Sequence, residues 1–357
     1  MNAESHLATI KNILLFFMAI VIIMVIKTLS GLLIPLAFAI FTGILLQPII
    51  AYLTRKKWPY TVTIILITLV TIGFIYLISL IIVDTGAQIV NEKDKLLDQI
   101  RTRFEQILDR VDHLPGMDSI DPNNMTALLD QVASKEFIMN TSGAVAGGLG
   151  TFSWNFILAT IYLVAVLGSI VRYEKYISYL EGDDDIGKQR LLKAFIEVRD
   201  SIVSYMKVKF FTSLSTGICF GLICWSFGID FALFWGFFAF ILNFIPTVGS
   251  ITATIPPILL GLIQIDSSGT YTFFVILLIG TQFVWGNVIE PLVMGSSVAL
   301  NTVTVILGLV VWGYIWGVSG MLLSVPLIVL ARVILAQIPD ADMIVKLMGR
   351  SELRKVK

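Results

Sequence analysis

The chain has 357 residues, of which 57% are hydrophobic and only 14% charged, where soluble domains carry roughly a quarter charged residues. Basic and acidic residues number 25 each, so there is no cationic surplus for a nucleic-acid partner. A soluble enzyme is excluded, because the polar residues are bunched and leave several stretches long enough to cross a bilayer.

The composition therefore predicts an all-α, polytopic membrane protein with the lipid bilayer as its surroundings. Cys219 and Cys224 are the only cysteines, His6 and His113 the only histidines. That set builds neither a disulfide framework nor a zinc site, and no metal or cofactor is expected. Five residues apart on a helix, the two cysteines point in different directions and read as small packing residues.

A helix needs roughly 20 apolar residues to cross the hydrocarbon core. By that ruler the first spans are Ile10 to Leu29, Leu32 to Leu53 and Tyr60 to Val83. The first lacks an A-x-A-like cleavage site and reads as a retained span. Ser30-Gly31 is the predicted first turn, with Pro35 tolerated early in the next helix. Arg55-Lys56-Lys57-Trp58-Pro59 is the second turn, and its three cations place it in the cytoplasm. Parity then puts the N-terminus inside and residues 84–150 outside, where six basic residues face eleven acidic ones. A fourth span, Phe152 to Val171, returns to a polar linker over 172–209 with an amphipathic helix and eight Lys or Arg. The basic tail, 338–357, is also predicted to be cytoplasmic.

Within the outer segment, apolar residues from Leu97 through Ile100, Phe104, Ile107 and Val111 to Leu114 alternate by three and four, an a/d stripe on a helix continuous with the third span. Leu114-Pro115-Gly116 stops it. Asp121 and Pro122 then start a second helix. The pair reads either as a small cap packed on itself or as a collar joining copies of a homo-oligomer.

Residues 210–337 form the predicted core. Phe210 to Phe227 and Tyr271 to Ile289 are full spans. Ala232 to Ile245 and Ile251 to Ile263 are too short to be comfortable spans and meet at Pro246-Thr247-Val248-Gly249-Ser250; Val298 to Val311 and Met321 to Leu335 similarly flank Trp312 to Gly320. Such interrupted pairs predict re-entrant or broken helices, permitted where protein or a water-filled cavity satisfies the freed backbone groups. Sliding the chain by 70 residues lays Ile245–Leu260 on Ile315–Leu330 with five identities, Pro256 meeting Pro326, and with Gly249 and Ser250 opposite Ser319 and Gly320. Each unit would be a long helix followed by a hairpin, and the two would form an inverted repeat of the kind that secondary transporters use.

Ionisable residues inside spans are expensive and informative. Lys27 and Arg332 lie near span ends and read as anchors; Asp230 and Asp266 fall at outer turns. Glu290 ends the run Gln282-Phe-Val-Trp-Gly-Asn287-Val-Ile-Glu290-Pro291, with Asn287 three residues earlier on the same helical face. Pro291 is expected to break the helix and free carbonyls near Glu290. Glu290 is then either a surface carboxylate pinning an Arg or Lys, or a partly desolvated group that binds and releases a proton or sodium ion. Gln282, Asn287, Glu290 and Asn243 are the transport and ion-coupling candidates. Pro246, Gly249, Pro291, Gly313, Gly317, Gly320 and Pro326 mark the broken helices and hairpin tips. Gly317-Val318-Ser319-Gly320 matches a G-x-S-G protease pattern, but no histidine follows His113 to serve as base.

The blocks Asn243-Phe244-Ile245-Pro246-Thr247-Val248-Gly249-Ser250, Val288-Ile289-Glu290-Pro291-Leu292-Val293-Met294-Gly295 and Val311 to Leu327 resemble, in order and spacing, those of the autoinducer-2 exporter-like permeases (the AI-2E family). The resemblance is specific over Lys207 to Leu335. It implies about eight membrane segments, a bacterial or archaeal plasma membrane, oligomers, and outward movement of a solute; members have been assigned autoinducer-2 export or sodium/proton antiport. Val298-Ala299-Leu300-Asn301 departs from the family, which often has Leu-His-Pro there, and removes a titratable side chain. Three functions follow: a gradient-driven exporter of a small signalling molecule, a monovalent cation/proton antiporter, or a non-transporting oligomeric scaffold.

Overall fold

The structure is a computed structural model and describes residues 3–92, 95, 98–103, 154–169, 186–294, 300–336 and 342–349. The described residues are helical apart from turns and one isolated bridge, Leu300 to Gly349. Ser30–Arg55, Tyr60–Ile89, Arg199–Ser226 and Ser268–Met294 are long and apolar enough to cross a membrane, Thr302–Arg332 has comparable length and hydropathy but is not straight, and shorter apolar helices accompany them. Large apolar side chains such as Leu69, Val70, Ile276 and Val310 stay exposed, which suits a hydrocarbon solvent and not water. The chain divides into two compact units, Met1–Thr68, Asn155–Val208 and Met294–Lys357 in one, Leu69–Trp154 and Lys209–Val293 in the other.

In the first unit, helix Ala3–Thr28 gives way at Leu29 to helix Ser30–Arg55. The turn is therefore shorter than Ser30-Gly31, and both residues belong to the second helix, whose backbone needs no glycine freedom here. Lys27 is more than an anchor: its ammonium sits 3.9 Å from the centre of the Tyr314 ring, a cation–π contact, and the Trp316 indole donates to the Ile26 carbonyl at 3.1 Å. One core joins Phe41, Ile202, Tyr205 and Met206 to Leu323, Val325, Leu327 and Val329. A second joins Ala39, Ile50 and Ile67 to Leu163 and Leu167, and the Tyr60 hydroxyl donates to the Leu167 carbonyl.

The segment Thr302–Leu335 contains one non-helical residue, Gly317, at φ 62° and ψ −142°. A straight helix would hold Gly308 and Ile328 about 30 Å apart, yet a Cβ on Gly308 would lie 2.0 Å from Ile328 Cδ1, and one on Gly313 2.8 Å from Met321 Cε. The segment is a helical hairpin turning at Gly317, as the short apolar pair predicted. Pro326 does not break it: the ring is fully buried inside the returning helix, where packing offsets the lost amide.

The second unit holds the other hairpin, helices Ala232–Leu242 and Val248–Gln264. Its tip is a γ-turn centred on Thr247, φ 62° and ψ −58°, in which Val248 N–H donates to the Pro246 carbonyl at 2.6 Å. Thr247 and Gly317 are the two positive-φ tip residues, separated by the same 70 positions as the sequence repeat. The close approaches also correspond. A Cβ on Gly249 would lie 1.7 Å from the Leu242 carbonyl oxygen, and one on Gly320 2.0 Å from that of Trp312; Leu242 and Trp312 are again 70 apart.

The base of this first hairpin is latched. Asp230 N–H donates to Gln264 Oε1 at 2.9 Å, Gln264 Nε2 donates to Asp230 Oδ2 at 2.6 Å, and the Trp235 indole donates to the Asp230 carbonyl at 3.0 Å. Gln264→Ala leaves a part-buried amide and carboxylate without these partners, so it should cost about 1–3 kcal/mol, seen as a lowered unfolding temperature in detergent. Asp266 is exposed as expected but pairs with Arg103 at 3.4 Å. Arg103 also donates to the carbonyls of Leu262, at 2.9 Å, and Ile265. The third helix runs on to Asn91 and the chain bends at Glu92, ahead of the outer stripe. Most of that stripe, from Phe104 onward, and the proposed second outer helix lie outside the described residues.

Helix Ile186–Ser226 is continuous through position 209, so the expected linker helix and the following span are one element. Phe220, Cys224, Ala239, Ala253, Phe274 and Leu278 form the core of the second unit. Gly217 and Gly236 bring the long helix and the hairpin together, since a Cβ on Gly217 would lie 2.7 Å from the Gly236 carbonyl. This is the small-residue packing that helices use in membranes.

Candidate functional site

Along helix Ile186–Ser226, Lys209, Thr212, Ser213 and Thr216 recur at helical spacing on one face, and all four are buried. Burying a lysine demands a partner. It has one: Lys209 Nζ lies 2.8 Å from both carboxylate oxygens of Glu290, with the two side chains 5% and 17% exposed. Glu290 thus does pin a lysine, but in the interior of the second unit. Charges so placed feel an effective dielectric well below that of water, which strengthens their attraction. They also lose hydration, so the pair is tolerated mainly because both members are present.

The helix does not end before Glu290. Ser268–Phe283 continues through a π-helical turn, Val284–Ile289, into Glu290–Met294, and Glu290 N–H donates to the Trp285 carbonyl five residues back. Pro291 therefore changes the register of a continuing helix instead of stopping it. π turns of this kind often mark functional positions. The wider turn also separates Asn287 from Glu290, because a three-residue step no longer returns to the same face; Asn287 is exposed.

Asn243, at the end of the first hairpin helix, is buried and donates through Nδ2 to Ser213 Oγ at 3.1 Å. Thr212 and Thr216 spend their hydroxyl protons on the carbonyls of Lys209 and Thr212, which keeps their oxygens as acceptors. Gln282 is 9% exposed, and neither its amide nitrogen nor its amide oxygen has a hydrogen-bond partner among the described residues. Leaving such groups unmet costs about 1–3 kcal/mol each.

Of the candidates, Glu290 and Asn243 are thus drawn to the polar face of the long helix, Gln282 is buried without a partner, and Asn287 stands apart. Pro246 and Gly249 form one hairpin tip; Gly313, Gly317 and Gly320 form the other. Sequence reasoning missed Lys209, Ser213 and Thr216. The signal was the run Lys209-Phe-Phe-Thr-Ser-Leu-Ser-Thr216, whose polar members share a helical face within apolar sequence.

The AI-2E family transporter model matches residues 13–340. The chain is 26% identical to the AI-2 transport protein TqsA of Escherichia coli, over 97% of each chain. It is 28% identical to a Haemophilus influenzae protein whose name speaks of transport without a cargo, over 98% of this chain and 99% of that one. A Bacillus subtilis relative, YrrI, is 26% identical over 87% of both. With this match across nearly its whole length, and with apolar helices that make it a multi-pass membrane protein, the chain belongs to the AI-2E family of transporters.

Proposed function

We propose that the protein exports a small signalling solute of the autoinducer-2 kind and that the Lys209–Glu290 pair couples this to an ion gradient. The observation that carries the reading is the burial of that pair beside a polar track. A proton arriving at Glu290 cancels its charge and leaves the Lys209 ammonium desolvated and alone, which is costly. The conformation holding the neutralised pair is then disfavoured against one in which Lys209 meets water, so proton uptake shifts the balance between two states. A sodium ion acts the same way by displacing the ammonium from the carboxylate. The similarity to a protein named for AI-2 transport supports autoinducer-2 as the first cargo to test. The cationic turn Arg55-Lys56-Lys57 supports cytoplasmic termini.

The test is transport in vesicles carrying the full chain, under an imposed pH or sodium gradient, with autoinducer-2 and indole among the solutes. Solute should move with the gradient, and Glu290→Gln should cut the gradient-driven rate at least tenfold. Unchanged coupled transport in Glu290→Gln would sink the coupling role. Gradient dissipation without solute movement would replace export by cation/proton antiport.

A further inference from the structure

The long helix and the helix that carries Glu290 run antiparallel in the second unit. Lys209 meets Glu290, Phe211 meets Trp285 at 6.1 Å between ring centres, and Phe227 meets Phe274 at 5.3 Å. As one number rises the other falls by nearly the same amount, so Gln282 lies level with the stretch around Thr216. Ser213 and its partner Asn243 are one turn away. Thr216 and Gln282 therefore lie about two helical turns from the charge pair, and Ser213 and Asn243 lie between, about one turn from Lys209.

That depth is informative. At 1.5 Å per residue, Thr216 is about 15 Å from the helix end at Ser226 and Gln282 about 21 Å from the helix start at Ser268. In a hydrocarbon core about 30 Å thick, about 15 Å is the middle and about 21 Å roughly one helical turn beyond it, close to the depth at which transporters hold their substrates. An amide fully equipped to give and accept hydrogen bonds is buried there with neither function used among the described residues.

We infer that Gln282 is the binding residue for a small uncharged solute that presents a hydrogen-bond donor beside an acceptor, such as a vicinal diol or a hydroxyketone, in a polar layer that runs from Thr216, level with it, to Ser213 and Asn243 one turn nearer the charge pair. The inference rests on the transport reading for its cargo but assigns recognition to a place distinct from the coupling pair. Lys209 and Glu290 satisfy each other, so the layer offers no free charge, and a charged solute would enter without a counter-ion. The amide presents its N–H and its C=O side by side, which suits adjacent donor and acceptor atoms. Replacing Gln282 by Leu keeps the bulk and removes both functions.

The full-length protein in detergent should bind glycerol, erythritol or dihydroxyacetone, seen as a concentration-dependent rise in unfolding temperature, while glycine betaine and acetate at equal concentration produce none. Gln282→Leu should unfold at a higher temperature than wild type without ligand, because two unmet polar groups are gone, and should lose the ligand-dependent rise. In vesicles its KM for a transported neutral solute should increase at least tenfold. A lower unfolding temperature for Gln282→Leu would show that the fold itself satisfies the amide and would overturn the inference. No stabilisation of wild type by any neutral probe, the result if only water occupies the layer, would overturn it as well. Binding intact with no solute movement in vesicles would instead count against the export reading alone.

Discussion

Lys209→Met and Glu290→Leu are each expected to lower stability by about 3–5 kcal/mol, and the double variant to recover most of that loss. Each single change strands one buried charge, Lys209 at 5% side-chain exposure or Glu290 at 17%, while the double change leaves an apolar contact in a solvent that tolerates it. Thermal unfolding in detergent, analysed as a double-mutant cycle, reads the coupling. The loss should persist at high salt, because a desolvated pair is poorly screened. Single costs below about 1 kcal/mol, the value of a surface ion pair, would move the pair out to water and remove the basis of the coupling proposal.

Gly249→Ala and Gly320→Ala should each cost on the order of 3 kcal/mol, the upper end of what overpacking does. The new methyl would meet a backbone carbonyl, that of Leu242 at 1.7 Å or Trp312 at 2.0 Å, and a carbonyl inside a helix cannot step aside as a side chain can. Gly280→Ala is the control. Nothing lies within 4 Å of its added Cβ, so helix propensity alone should act and favour the variant by about 0.5–1 kcal/mol. Folded yield and unfolding temperature distinguish the three. Equal behaviour of Gly320→Ala and Gly280→Ala would mean that the second hairpin does not close at Gly317 as described.

The hairpins were legible in the sequence because backbone rules leave marks that survive without contacts: two pairs of apolar segments too short to span, with Pro246 and Gly249 between one pair and Gly317 and Gly320 between the other. Glu290 was visible because a carboxylate in an apolar run is rare. Its partner was not. Lys209 stands at the end of a basic stretch, where it reads as one more cytoplasmic cation, and only folding brings it across 81 positions to Glu290. Pro291 misled for a local reason, since a proline breaks an α-helix but can be absorbed where a π turn has already changed the hydrogen-bond register. The placement of Asn287 failed with it, as helical-face arithmetic assumes the α period. Gln282 was marked by its polarity, yet its lack of partners is a property of the packed interior, which no spacing rule encodes.

The γ-turn at Thr247 distinguishes the first hairpin from the second, which turns at Gly317. Gly317 takes its positive φ without steric penalty, whereas Thr247 carries a β-branched side chain through a rare region of backbone space, at a cost of about 1–3 kcal/mol. That is the size of the free-energy gaps that divide the working states of many proteins. One tip is relaxed and the other is held under tension by its own helices, so the two hairpins are not energetically equivalent. A rearrangement that loosened the Pro246–Val248 corner would release this tension, and the corresponding corner at Gly317 has none to release.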